Sequence, residues 1–446
     1  MTHVCQSWRN VLLSTPGLWT RIDFSKSPES QQAIGFVRRS GNYPLHVYQH
    51  LGFYEHVEPF LSTTLHNMSR LQGLKIVSYL HHLDRVLEYF SGPAPALEHL
   101  EITNEPNITE RSIELPQVFG GRLPKLTYLS LRCLSTDLRG FNFPSLTRFY
   151  FSTSTEIYVW NLISFFERSP LLESITISFN FTPVPSTPPT NRARLAALKE
   201  LVLDQTACTT GLLDLLTLPK CVEMRLKGRF TGEEIDQDGE HAAQFHPSSI
   251  DHLPVTRGIA KAVAMPNSCI LSGPNGNLKF WCFDGTRGYF DAEFFTSFSP
   301  IYVLGIKELW VGRGDTSFRN GPWEQNSTRV RSAFEVLTKV EDLTIFRCET
   351  EPFYATLALG ATADGGILLP ELRRLTTYAG HGDVDFLALI RCAKARQEHS
   401  RPLERVTIVF NEEPGAHLVR GLELLRGFVG ELIYPVGRPP HFDVHG

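Results

Sequence analysis

No two cysteines stand in the CxxC spacing, which removes the common paired-thiolate zinc sites and leaves no metal to expect. No apolar run is long enough to span a bilayer. Gly-x-Ser-x-Gly, His-Glu-x-x-His and a glycine-rich phosphate loop ahead of a helix are all absent, so no catalytic constellation and no cofactor site is read. Neither charge sign dominates: 43 Lys and Arg stand against 47 Asp and Glu, for a net charge of -4. That balance gives no electrostatic case for nucleic acid or an acidic membrane. Met1 to Asn10 is polar around Trp8 and is not a secretory signal. The eight cysteines are therefore read as reduced thiols, mostly buried as small hydrophobes, in a cytoplasmic or nuclear protein.

What is present is an ordinary folded composition, 42% hydrophobic and 20% charged over 446 residues. One phrase recurs within it. Pro124-Lys125-Leu126-Thr127-Tyr128-Leu129-Ser130-Leu131 places Leu129 and Leu131 on one face of a strand, with Leu126 entering from the preceding turn. The same spacing returns at Leu97, Leu146, Leu172, Leu198 and Cys221, then at Ile306, Val340, Leu372 and Leu403, and Leu71 opens the series. Helical periods fill the intervals, at Gln31 to Arg39, Val57 to Leu65, Leu83 to Phe90, Leu162 to Phe166, Leu212 to Leu218, Phe334 to Leu337 and Phe386 to Ala393. Strand phrases recurring every few tens of residues predict a solenoid, in which each unit buries its apolar side only by stacking on its neighbours.

The first 25 residues differ. Val4, Trp8, Val11 and Leu12 fall on one face of a short helix that Ser14-Thr15-Pro16-Gly17 ends. Leu18, Trp19 and Ile22 then form a second apolar turn. So short a segment cannot fold alone and must dock on something. Val4-Cys5-x-x-Trp8-Arg9, then Ser14-Thr15-Pro16, then Leu18-Trp19, resemble the last third of an F-box. The resemblance implies a Skp-family adaptor of a cullin ligase as partner, bound through Val4, Cys5, Trp8, Arg9, Leu18 and Trp19. The two helices that precede this portion in the family are absent, so a truncated module is expected over residues 1–25.

Residues 26–446 resemble an irregular leucine-rich-repeat array. Successive starts from Leu71 to Cys221 lie between 20 residues apart (Leu126 to Leu146) and 29 apart (Leu97 to Leu126), within that family's period. The implied fold class is α/β, a solenoid with a parallel concave sheet and outer helices. Residues 227–300 carry no clean phrase. They are read as two degenerate repeats, with strands either side of Gly273-Pro274-Asn275-Gly276-Asn277. Pro183 to Thr190, the acidic run Thr231 to Gly239 and the Arg-Gly-Asp tripeptide at 313–315 are read as loops or turns, and His81-His82 as surface residues. The stretch from Tyr434 is expected to fray.

Within each phrase the residues between the apolar positions point away from the core. Aromatic and arginine side chains there are the material of binding hot spots. Tyr128, Tyr150, Arg225, Trp310 and Arg374 are the candidate partner-binding residues. The expected function is a non-catalytic substrate-recognition subunit of an SCF-type ubiquitin ligase. The alternative is a repeat-array binding scaffold without a ligase link, because the adaptor module is incomplete.

Overall fold

A computed structural model describes residues 5–25, 31–52, 57–79, 83–104, 113–115, 118–121, 123–153, 157–178, 181–182, 192–204, 209–228, 253–265, 268–282, 305–312, 327–346, 350–359, 367–379 and 384–437. Val4, His81-His82, the runs 183–190 and 231–239 and the Arg-Gly-Asp tripeptide lie outside them. The fold is mixed α/β, with helices flanking sheet. Two compact units divide the chain, one ending at Cys221 and the other beginning at Val222.

In the N-terminal unit eight strands pair in parallel and in chain order. They are β1 (Arg21–Asp23), β2 (Leu45–Leu51), β3 (Leu71–Ser78), β4 (His99–Asn104), β5 (Tyr128–Arg132), β6 (Arg148–Ser152), β7 (Ser174–Ser178) and β8 (Glu200–Asp204). The recurrent apolar residues stand in register, Leu100 beside Leu129 beside Phe149 beside Ile175 beside Leu201. Each of these is buried. Side chains alternate across a pleated strand, so this register fixes a buried row on one face and a polar row on the other.

A local device starts many of the parallel strands. The leucine that opens a phrase donates its N–H to the carbonyl three residues back, as Leu126 does to Leu123, Leu146 to Phe143 and Leu372 to Leu369. Proline follows that carbonyl residue in all three, at Pro124, Pro144 and Pro370. Its fixed φ suits the second position of a β-turn. The next two residues then place successive N–H groups on one carbonyl of the preceding unit. Thr147 and Arg148 share Thr127, Glu173 and Ser174 share Thr147, and Arg373 and Arg374 share Glu341. Turn and ladder thus hand the chain from one strand to the next in constant register.

Helices cover the apolar face. The helix Val159–Glu167 buries Leu162, Ile163, Phe165 and Phe166, and the Phe165 ring lies 4.7 Å from that of Phe149. Arginines stitch consecutive units. Arg70 donates to the carbonyls of Gly41 and Tyr43, and Arg168 to those of Leu138 and Arg139.

In the C-terminal unit β9 (Glu223–Gly228) pairs in parallel with β12 (Gly276–Cys282). β10 (Lys261–Met265), β11 (Ser268–Gly273) and β12 form an antiparallel meander. β10 then continues in parallel into β13 (Glu308–Gly312), β14 (Asp342–Phe346), β15 (Arg374–Ala379), β16 (Arg405–Phe410) and β17 (Glu431–Ile433). The meander corrects the reading of two degenerate repeats here. The two-residue turn Pro274-Asn275 reverses the chain between β11 and β12, where a parallel repeat needs a long crossover. Gly276 closes that turn at a φ of +132°, and an added Cβ would sit 2.0 Å from the Val222 carbonyl oxygen. The stretch from Tyr434 does not fray over its described part. It is tied to β16 through Phe410, whose N–H donates to Pro435 O at 3.0 Å and whose carbonyl accepts from Gly437 N–H at 2.8 Å.

Candidate functional site

The N-terminal segment has two sides. α1 (Gln6–Leu13) forms as its periodicity predicts and buries none of its residues. Trp8 is 63% exposed and Leu18 56%, with Val11 and Leu13 also outward. Cys5 and Arg9 are exposed beside them. Trp19 turns inward to 6% exposure. Its indole N–H donates to Leu12 O at 2.9 Å, its ring meets Phe36 edge-on at 4.9 Å, and the Arg39 guanidinium lies 4.9 Å from it. The expected second apolar turn is a 3-10 turn at Pro16–Trp19, and Ile22 continues into β1 instead. Ile22 and Phe24 bury against the first strands, so the segment docks on the sheet that follows it.

On the polar face of the N-terminal sheet, Arg21, His46, Gly73, His99, Tyr128 and Arg148 share one register row. Asp23, Tyr48, Lys75, Glu101, Ser130 and Tyr150 share the next. Lys75 bridges to Glu101 at 2.9 Å and lies over the Tyr48 ring at 5.8 Å. Tyr150 packs under the Arg132 guanidinium, 4.3 Å from its ring centre, and burial pushes its phenol up from the ordinary value. Tyr128 is half-buried and stands 6.2 Å from the His99 ring. It lines a cavity of about 530 Å³ together with both histidines, Gly73 and residues of α2 (Gln31–Arg39).

The other three candidates lie in the C-terminal unit. Arg225 and Lys279 both hold Glu223, each at 2.9 Å. Burial raises the Glu223 carboxyl, and the bonds from Lys279 and Arg225 outweigh it, leaving the group below its ordinary value. Trp310 is wedged among its neighbours. Lys261 lies 4.4 Å over its ring, Phe346 meets it edge-on at 6.2 Å, and its N–H donates to Glu308. It packs on a second apolar cluster of Val263, Met265 and Phe346. Lys261 also bridges to Glu308 at 2.8 Å. Desolvation raises Glu308, but Lys261 and Trp310 bring it below the carboxylate norm. Arg374 is exposed and paired with Asp342, which holds its guanidinium charged.

Sequence reasoning missed Arg21, His46, Gly73 and Lys75. Their signal was the same alternation on β1, β2 and β3, the last being the strand that Leu71 opens. Among the described residues no group of three or more His, Cys, Asp and Glu is placed to hold a metal ion. No described helix is long and apolar enough to cross a membrane. The described free cysteines include buried Cys221, Cys269 and Cys392. Burial pushes the Cys392 thiol up to about 12, which suits a core residue and not a nucleophile. No protein-family model matches the chain, and no curated protein matches its sequence.

Proposed function

We propose that this chain is the non-catalytic substrate-recognition subunit of an SCF-type ubiquitin ligase, acting in the cytoplasm or nucleus. Its N-terminal segment docks a Skp-family adaptor, and the polar face of a leucine-rich-repeat-like solenoid selects the protein target. The adaptor half rests on the resemblance of Cys5-x-x-Trp8-Arg9 and Leu18-Trp19 to an F-box. The observation that carries it is the outward set of Trp8, Val11 and Leu13 on a helix with no buried residue, with Leu18 outward on the turn that follows. Exposed large apolar groups clustered this way suit a partner surface. The target half is supported by the parallel strands in constant register and by the aromatic and charged rows they present.

A pull-down with purified Skp-family adaptor tests the reading. Retention of the full chain, lost on Trp8→Ala with Leu18→Ala, is the expected result. Equal retention of wild type and double variant, or none of either, removes the ligase link. A second reading, a binding scaffold without that link, is favoured by Trp19. Its ring is already used against Phe36 and Arg39 and so is not offered to an adaptor.

A further inference from the structure

The cavity on the N-terminal sheet has a feature that its register explains. Adjacent strands lie about 4.8 Å apart, so side chains two strands apart are normally about 10 Å from each other with a third between them. His46 on β2 and His99 on β4 flank Gly73 on β3. The missing side chain lets the two rings approach to 6.3 Å between centres. A Cβ on residue 73 would fall 2.5 Å from His46 Nδ1, so the notch exists only with glycine there. Ala33 and Phe36 of α2 form an apolar wall opposite.

The charge inventory decides what fits. Glu101 is already held by Lys75 at 2.9 Å, and Asp23 accepts from Ser25 N at 3.0 Å. Arg21 lines the same cavity and makes no ion pair among the described residues. Two imidazoles and a guanidinium without an ion pair among the described residues thus converge beside an apolar wall, with both carboxylates that line the cavity engaged and a third, Glu98, near His46 but outside the lining. That is a receptor for an anion carried next to an apolar group.

We propose that this cavity captures an acidic side chain of a partner peptide, its carboxylate held by His46, His99 and Arg21 and the neighbouring apolar side chain laid against Ala33 and Phe36. This rests on reading the polar face as the target-binding surface and names the chemistry of the target. The groups around His46 set a pH dependence. Burial lowers its pKa, the charge on His99 and that on Arg21 lower it further, and Gln72 and Glu98 oppose them. Lys75, Asp23 and Glu101 face the same space. A bound carboxylate favours the His46 imidazolium, so peptide binding takes up a proton and tightens as pH falls.

Fluorescence anisotropy on the full chain tests this with labelled peptides carrying a central Glu-Leu or Glu-Phe, against Gln-Leu, Lys-Leu and free glutarate. The Glu peptides are expected to bind about tenfold tighter than their Gln forms, a difference of about 1.4 kcal/mol. The preference is expected to grow about fivefold between pH 7.5 and 6.0. His46→Gln with His99→Gln should abolish both effects, and Gly73→Val should block binding. Should the valine variant misfold, the double glutamine variant alone decides. Equal affinity for Glu and Gln peptides, no saturable binding, or glutarate binding as tightly as peptide overturns the proposal. Adaptor retention, measured on the same samples, is a separate readout that stands or falls with the ligase reading alone.

Discussion

Arg396 reaches back to the unit before it and donates to the carbonyl of Leu369 at 3.1 Å, while Leu369 holds a left-handed φ of +49°. The same guanidinium donates to Leu368 O at 3.1 Å and to Leu372 O at 2.9 Å, and Arg396 is fully buried. A left-handed leucine costs about 1–2 kcal/mol. The three charge-assisted bonds keep the turn that starts β15 in that form. Burial lowers the Arg396 pKa, but an arginine stays charged, so its charge is met by main-chain dipoles.

Replacing Arg396 by Met keeps the stem and removes the donors. Three buried carbonyls then lose the guanidinium, though Leu369 O keeps the N–H of Leu372, and the expected loss is about 2–3 kcal/mol of unfolding free energy. Arg396→Lys should recover part of it. The urea midpoint of the full chain measures both. An unchanged midpoint for Arg396→Met would show that the carbonyls are satisfied another way.

The two tryptophans of the N-terminal segment should part company. Trp8→Ala removes an exposed ring and should leave thermal stability within about 0.5 kcal/mol of wild type. Trp19→Ala opens a hole against Phe36 and should cost about 3 kcal/mol. Adaptor capture should follow Trp8 and not Trp19 in samples verified as folded.

Phe151 and its neighbour Tyr150 report the two faces of β6. Phe151 is fully buried and stacked on Phe149, 5.8 Å between ring centres. Phe151→Ala should cost about 3–5 kcal/mol. Tyr150→Phe keeps the ring beneath Arg132 and should cost less than about 1 kcal/mol. Comparable losses from the two would overturn the assignment of faces.

Trp310 is placed as packing as well as surface. Trp310→Ala should lower stability by about 2 kcal/mol, and Trp310→Phe by less, since the contact with Phe346 survives. Calorimetry on the full chain reads the difference.

Acid should weaken the fold through Glu223 and Glu308. Both carboxyls titrate below their ordinary 4.5 in the folded chain. The unfolded chain therefore binds protons first as pH falls through that value, and the stability these groups contribute is present above it and lost below. Glu223→Gln with Glu308→Gln should flatten the fall in melting temperature between pH 5 and pH 3. A parallel fall in the variant would place the acid sensitivity elsewhere.

The sequence by itself determined the recurrent strands and where they begin, but not β1, β10 or β17. Alternation has a period of two residues, and the Pro-x-Leu turn is complete within four, so Leu126, Leu146 and Leu372 could be read without any neighbour. It also gave α2 its bounds, through apolar spacing closed by Gly41, whose φ is +55°. Tertiary structure alone decided which polar residues meet. Arg396 and Leu369 are 27 positions apart, and nothing local pairs them. His46, Gly73 and His99 become one notch only because three strands stack in register. Trp19 and Trp8 look alike in the chain and separate only when β1 joins the sheet and draws one of them inside. Backbone preferences act over a few residues and can be read from composition and spacing, whereas burial and charge pairing depend on distances that exist only once the strands lie side by side.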